Sequence, residues 1–157
     1  MAIEIFVVDW TIPKPFKDAL TQSASHESGV YAMYKVTGRN AILHYIGKSK
    51  DFYKRFGTHR NAASHLMNDA EMDKCLVSFG LVSCFEKSRM SQDITPEQLH
   101  DLESFLINSK KPTGNDDSTK KGYKGCATIV FNDGNRGGFP EIMTNNQDVI
   151  KLLKEKL

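Results

Sequence analysis

The stretch that decides the fold runs from Gly29 to Gly47 and reads GVYAMYKVTGRNAILHYIG. Residues 30–36 and 41–46 are rich in aromatic and β-branched side chains, which favour strands. Between them lies Thr37-Gly38-Arg39-Asn40, whose small and polar residues are typical of a turn. The stretch therefore predicts a β-hairpin with a four-residue connection.

Apolar periodicity predicts the elements on either side of this hairpin. A helix over residues 51–67 follows the hairpin directly. A second helix over residues 95–108 begins with Thr95 as N-cap, and Gln98 completes a capping box. The remaining predicted elements are strands over residues 3–8, 81–85 and 127–131 and helices over residues 16–23 and 146–157.

Together these elements predict one α+β domain with a small three-stranded antiparallel sheet flanked by helices. Residues 29–116 form the predicted core, and residues 1–28 and 117–157 are expected to be N- and C-terminal extensions. In the last helix, the residues expected to face inward are Val149, Ile150, Leu152 and Leu153.

Composition narrows the class of protein. The chain has 157 residues, of which 39% are hydrophobic and 25% are charged, as in an ordinary soluble domain. No apolar run approaches the roughly 20 residues of a transmembrane helix, so we expect no membrane partner. The acidic N-terminus without a cleavage site predicts no signal peptide. Cys75, Cys84 and Cys126 form no CxxC pair, which indicates reduced thiols in the cytoplasm and argues against zinc.

Charge is concentrated in two segments, although the net charge is only +2. Residues 48–60 carry five basic residues against the single acid Asp51. A second basic group spans residues 110–124. Such clusters neutralise phosphates, while the alternative is that they are ordinary solvated faces. The basic residues of the first segment are Lys48, Lys50, Lys54, Arg55 and Arg60.

Glu103 is a charged residue at an unusual position, beside the apolar stripe of a predicted helix. At about 100° per residue, it lies beside the apolar stripe of Leu99, Leu102 and Leu106. A carboxylate facing the core is rare unless it is paired or bound to a metal. The alternative is that Glu103 lies at the edge of the stripe and reaches solvent.

Two further side chains project from one helix face, since Arg55 and His59 are four residues apart. Together with Tyr31, Tyr45 and Lys48 they form a set suited to a phosphate. Phosphodiester cleavage needs a base that deprotonates the attacking water and a cation that polarises the phosphate. It also needs positive charge that stabilises the developing oxyanion. Taken singly, each of these residues is equally well explained as an ordinary strand or surface residue.

The ordered set carries a resemblance that no single residue would. The set consists of Gly29-Val30-Tyr31, Tyr45-Ile46-Gly47-Lys48, Arg55, His59, Glu103 and Asn115, the last of which closes a Pro112-Thr113-Gly114-Asn115 turn. It resembles the GIY-YIG endonuclease family. The first tripeptide has Val30 where Ile is commonest. The resemblance covers a little over half of the chain. It implies a DNA endonuclease of restriction, phage or repair type that uses one Mg²⁺ or Mn²⁺ per site.

The resemblance also implies a role for each matching position. Tyr31 is expected to be the general base and Tyr45 to assist it, with Lys48 or His59 easing the deprotonation of a tyrosine. Arg55 is expected to hold the scissile phosphate. The implied metal ligand is Glu103, and Asn115 is expected to brace the site.

DNA is the partner that this interpretation requires. Its predicted contacts are Lys48, Lys50, Lys54 and Arg60, with further contacts from residues 116–140. Cutting both strands with a one-metal site favours a homodimer or two successive nicks. Two alternatives stay open: a catalytically silent DNA-binding or interaction domain of the same fold, and an unrelated α+β domain whose motif match is coincidental.

Overall fold

A computed structural model describes residues 3–54, 74–115, 119, 122–123 and 125–156 of the chain. Within these residues, eight strands form one mixed sheet. The strands are β1 (Ile3–Trp10), β2 (Lys14–Pro15), β3 (Gly29–Thr37), β4 (Asn40–Ser49), β5 (Cys75–Glu86), β6 (Arg89–Ser91), β7 (Ala127–Gly134) and β8 (Ile142–Thr144).

The order across the sheet is β4-β3-β5-β1-β7-β8, and the short strands β2 and β6 both pair with β5. All pairs are antiparallel except that of β1 with β7, in which Ile3 lies beside Ala127 and Trp10 beside Gly134. Strand β1 is therefore interior to the sheet, because β5 covers one of its edges and β7 the other.

The prediction of a small three-stranded sheet is wrong. The hairpin and β5 do form an antiparallel group, but β1, β7 and β8 widen it into an eight-stranded mixed sheet among the described residues. Strands from both predicted extensions thus belong to the same sheet as the hairpin. The error has a physical cause: the β1–β7 pairing joins segments more than 100 residues apart, and local periodicity carries no information about partners so distant.

The predicted hairpin is present, with a tighter turn than expected. Thr37 pairs with Asn40, so the connection is the two residues Gly38 and Arg39 rather than four. Gly38 has a φ of +64°, a conformation that glycine adopts without steric cost.

A β-bulge interrupts the hairpin at His44. Tyr34 pairs with Leu43, whereas Met33 pairs with Tyr45, so His44 is the extra residue of β4. A bulge moves the following residues of its strand to the opposite face, because side chains alternate along a strand. The residues of β4 after His44 are therefore displaced by one position relative to β3.

The described α-helices are α1 (Phe16–Leu20), α2 (Pro96–Lys110) and α3 (Gln147–Glu155). The predicted capping box of α2 is confirmed: Thr95 Oγ1 accepts from the Gln98 amide at 3.1 Å, and Gln98 Oε1 accepts from the Thr95 amide at 2.9 Å. The helix ends at Lys111, which has a left-handed φ of 49°. No described helix is long and apolar enough to cross a membrane.

One predicted helix lies mostly outside the described residues, and another differs from expectation in its packing. The described part of the helix expected over residues 51–67 ends at Lys54, and the remainder lies outside the described residues. Helix α3 is present, but the expectation that Leu152 faces inward is wrong, because that residue is 56% exposed. A short amphipathic pattern fixes the relative angles of side chains but not what they pack against.

Apolar side chains cover both faces of the sheet. On one face, α2 packs Leu99, Leu102 and Leu106 against a cluster that includes Val30 and Ile46. On the other face, a smaller cluster contains Tyr31, Met33, Phe52, Val77 and Phe79, with Tyr45 packed against it. Successive residues of β3 thus belong to different cores, as the two-residue repeat of a strand requires.

The interior position of β1 in the sheet leads to a prediction about the smallest part of the chain that folds. A fragment spanning residues 27–116 lacks β1 and β7, and with them the buried side chains of Phe6, Val8 and Trp10. Each such loss costs about 2–5 kcal/mol, so the three together are about as large as the whole stability of a typical domain. We expect the fragment to show no cooperative thermal transition by circular dichroism, with the full chain as control. A fragment that melts cooperatively would show residues 29–116 to be an independent core.

Candidate active site

A cleft of about 370 Å³ opens beside β4, which is an edge strand among the described residues. Its lining includes five of the predicted functional residues. They come from β3, from β4 and the residue that follows it, and from α2. The five residues are Tyr31, Tyr45, Lys48, Lys50 and Glu103.

The two motif tyrosines lie side by side on neighbouring strands. The ring centroids of Tyr31 and Tyr45 are 5.9 Å apart, with an angle of 31° between the ring planes. Tyr31 is only 1% exposed and packs edge-on against Phe52 at 4.8 Å, whereas Tyr45 is partly exposed. The two tyrosines therefore lie between the smaller apolar cluster and the cleft.

Gly47 lies opposite Tyr31 in the β3–β4 register. A β-carbon at Gly47 would overlap the phenol ring and hydroxyl of Tyr31. The glycine was expected to permit close approach near the tyrosines, and the structure shows what approaches: the ring of Tyr31 itself. This second motif glycine is thus required by the first motif tyrosine.

Lys48 and Glu103 meet on the α2 side of β4. Lys48 Nζ lies 3.6 Å from Glu103 Oε1, and the two side chains are 37% and 18% exposed. A partly exposed pair of this kind contributes at most about 1 kcal/mol to stability. The contact therefore matters for the position of the two charges in the cleft more than for folding.

The helix stripe is as predicted, since Leu99, Leu102 and Leu106 are all buried. Glu103 is neither fully buried nor freely solvated. It borders the stripe and points its carboxylate into the cleft, where it meets the Lys48 ammonium. Glu103 is thus paired, as expected of a carboxylate beside the core, and it lies at the edge of the stripe, as the alternative states.

Asn115 braces β4 through its side-chain amide. Its Oδ1 accepts from the Ile46 backbone amide at 2.8 Å, and its Nδ2 donates to the Ile46 carbonyl at 2.9 Å. The residue is 6% exposed and lies on the 3₁₀ turn Thr113–Asn115. Since Ile46 separates Tyr45 from Gly47, these two bonds hold the second motif at its centre.

Two histidines that were not predicted contact residues in or near the cleft. His100 Nδ1 lies 3.3 Å from Lys48 Nζ, and the bulged His44 places its Nδ1 3.2 Å from Thr113 Oγ1. The only available signal for His100 was its spacing of three residues from Glu103 on one helix face. Its lysine partner comes from β4, which helix periodicity does not identify.

The basic residues beside the cleft are only partly described. Lys50 and Lys54 are exposed. The Lys54 backbone amide donates to Asp51 Oδ1 at 2.9 Å, where residues 52–54 begin a helical turn. Arg55, His59 and Arg60, to which the sequence assigns phosphate, base-assisting and DNA contacts, lie outside the described residues.

The donor atoms of the cleft fit a hard divalent cation. Glu103 supplies a carboxylate, and Mg²⁺ characteristically takes one or two carboxylates while its other positions go to water and substrate phosphate. Among the described residues, no group of three His, Cys, Asp or Glu side chains is arranged to hold a metal. A metal bound mainly by the protein, such as structural zinc, does not suit this donor set.

Other reactive side chains lie away from this cleft. Tyr34 is buried in the core on the α2 side of the sheet, and burial raises its pKa to about 12. Burial likewise raises the pKa of the Cys75 thiol to about 11. The three cysteines are free.

A scan against protein-family models matches the GIY-YIG catalytic domain over residues 27–116. This range contains both tripeptides, Glu103 and Asn115. The chain belongs to the GIY-YIG family. It therefore carries a nuclease domain, and the resemblance seen in the sequence is confirmed. Searches of curated proteins and of solved structures found no match.

The amide bonds of Asn115 predict a loss of both stability and activity in Asn115→Ala. Removing them leaves the Ile46 amide and carbonyl without these partners, which costs about 2–4 kcal/mol in the free energy of unfolding. Nuclease activity should also fall at temperatures where the variant remains folded, because Tyr45 and Gly47 lose their anchor.

A matched control is Asn146→Ala, which removes the N-cap of α3, where Oδ1 accepts from the amides of Asp148 and Val149. It should cost about 1 kcal/mol and leave activity unchanged. Urea unfolding and a nuclease assay on both variants make the comparison. Equal activity in the two variants would remove Asn115 from any role beyond stability.

Proposed function

We propose that the protein is a divalent-metal-dependent DNA endonuclease. The observation that carries this proposal is the convergence of Tyr31, Tyr45, Lys48 and Glu103 on one open cleft. Family membership supports nuclease chemistry in general, and the cleft supplies the types of group that phosphodiester hydrolysis requires.

The roles follow from position and chemistry. Tyr31 is the proposed general base that takes a proton from the attacking water, and Tyr45 is its closest counterpart, 5.9 Å away between ring centroids. Glu103 is the residue that would hold a divalent ion, whose charge would polarise the scissile phosphate when bound. Lys48 supplies a fixed positive charge beside both tyrosines. Arg55 is proposed to stabilise the charge that develops on the phosphate.

DNA is the proposed substrate because of where the charges lie. The cleft opens at the edge of the sheet, and Lys48 and Lys50 line it while Lys54 is exposed nearby. A strip of cations at an open edge suits a phosphate backbone, whose contacts are largely independent of base sequence. Arg60 belongs to the same proposed set of DNA-contacting cations on the basis of the sequence. A homodimer that cuts both strands is part of the same proposal.

One observation favours the second candidate, a catalytically silent domain that binds DNA. Tyr31 is 1% exposed, whereas a general base must reach a water molecule. Both candidates predict DNA binding, but only the first predicts strand cleavage. Plasmid DNA incubated with Mg²⁺, with Mn²⁺ and with EDTA separates them: cleavage that EDTA abolishes supports the endonuclease, and binding without cleavage supports the silent domain.

Glu103→Gln should abolish metal-dependent cleavage and leave the fold intact. The substitution keeps the shape of the side chain and removes the charge that attracts a divalent ion, so we expect a rate loss of about 10²-fold or more. Glu97→Gln is the matched control, because Glu97 is an exposed glutamate in the first turn of the same helix. Cleavage by Glu103→Gln at the wild-type rate would exclude Glu103 as the metal ligand.

Tyr31→Phe should reduce the rate of cleavage by about 10²–10⁴-fold, the range that general-base catalysis supplies. The variant keeps the ring that packs on Phe52, so melting temperature and DNA affinity should change little. Tyr53→Phe, which alters a tyrosine that is 45% exposed, is the control. An active Tyr31→Phe variant beside an inactive Tyr45→Phe variant would assign the base role to Tyr45.

A further inference from the structure

The ammonium of Lys48 contacts two side chains of a single helix face. Lys48 Nζ lies 3.6 Å from Glu103 Oε1 and 3.3 Å from His100 Nδ1. Both partners belong to α2 and are three residues apart, which places them on adjacent turns of one face. Lys48 itself comes from β4, so these contacts also join the helix to the edge strand.

The contact with His100 has a defined direction. A lysine ammonium carries only donors, so His100 Nδ1 is the acceptor in this contact. His100 acts toward Lys48 as an uncharged acceptor, whereas Glu103 acts as a charged one.

This difference matters if Glu103 holds a divalent ion. A lysine ammonium and a metal ion are both cations, and each is attracted to the same carboxylate. A lysine that sits directly on Glu103 therefore weakens metal binding. A neutral acceptor on the same helix face keeps the ammonium in the cleft without adding a second negative charge to attract it.

We propose that His100 is a positioning residue that shares the Lys48 ammonium with Glu103, so that the lysine holds the carboxylate less tightly and a metal ion competes for it more easily. The proposal rests on the proposed function, because it assigns the metal to Glu103. His100 is exposed and contributes little burial, so a purely structural role predicts almost no effect of its removal.

The test is binding of Mn²⁺ to the full-length protein without DNA, measured by the electron paramagnetic resonance signal of free Mn²⁺. In His100→Ala, the Lys48 ammonium loses this partner and interacts more strongly with Glu103, so Mn²⁺ affinity should fall by about two- to tenfold, the range that one hydrogen bond supplies. His100→Gln retains a neutral acceptor and should recover most of the loss. His26→Ala, which alters an exposed histidine that contacts Asp51 and Tyr53, should match the wild type.

A double-mutant cycle shows whether His100 acts through Lys48. Lys48→Met removes the competing cation, so its Mn²⁺ affinity should be at least that of the wild type. Adding His100→Ala to Lys48→Met should then change nothing. If affinity falls equally in both backgrounds, His100 contacts the metal directly, and the positioning role is wrong.

The remaining outcomes separate this inference from the proposed function. If Glu103→Gln weakens Mn²⁺ binding but His100→Ala does not, the metal assignment stands and the role of His100 is overturned. If Glu103→Gln binds Mn²⁺ as tightly as the wild type, the metal assignment fails and this inference fails with it. Thermal melts of each variant confirm that all comparisons are made between folded proteins.

Discussion

The two hydrogen bonds between the Asn115 side chain and the Ile46 backbone are the constraint on which the site depends. Strand β4 lies at an edge of the sheet among the described residues, so its outer backbone groups have no described neighbouring strand to pair with. Asn115 takes the place of a neighbouring strand at one residue, at 2.8 and 2.9 Å. Because Asn115 follows α2 closely in the chain, the same bonds fix the helix relative to the strand. Glu103 and Lys48 meet as a consequence.

An edge position reconciles a rigid site with access to a large substrate. In β4, Tyr45 and Gly47 share the face of Tyr31, whereas Ile46 and Lys48 face α2. Groups from both faces can line one cleft only where the sheet ends, because an interior strand would be flanked by neighbours on both sides. An exposed edge is also a hazard for unwanted strand pairing. Charged side chains such as Lys48 and Lys50 reduce that hazard and suit a phosphate backbone.

Local and motif-based features were predictable from the sequence, and contacts between distant segments were not. The capping box at Thr95, the buried leucine stripe and the hairpin are determined by neighbours in sequence, and each is present. The ordered motif supplied four residues of the cleft, namely Tyr31, Tyr45, Lys48 and Glu103. The β1–β7 pairing and the Lys48–His100 contact depend on segments that come together only in the folded chain. Leu152 was misassigned for the same reason, since amphipathicity does not name a packing partner.

The bulge at His44 explains why the two tripeptides work together. Without it, the register at the turn, where Thr37 pairs with Asn40, would continue unchanged and bring Ile46 opposite Tyr31. Tyr45 would then point to the face opposite Tyr31, and the side chain of Ile46 would occupy the space that Gly47 leaves for the Tyr31 ring. The extra residue shifts the strand by one position, which places both tyrosines on one face and the glycine beneath the first of them. The two tripeptides therefore constrain packing as well as supplying functional groups. The ring of Tyr31 fits only because residue 47 is glycine, and the bulge places these two residues opposite each other.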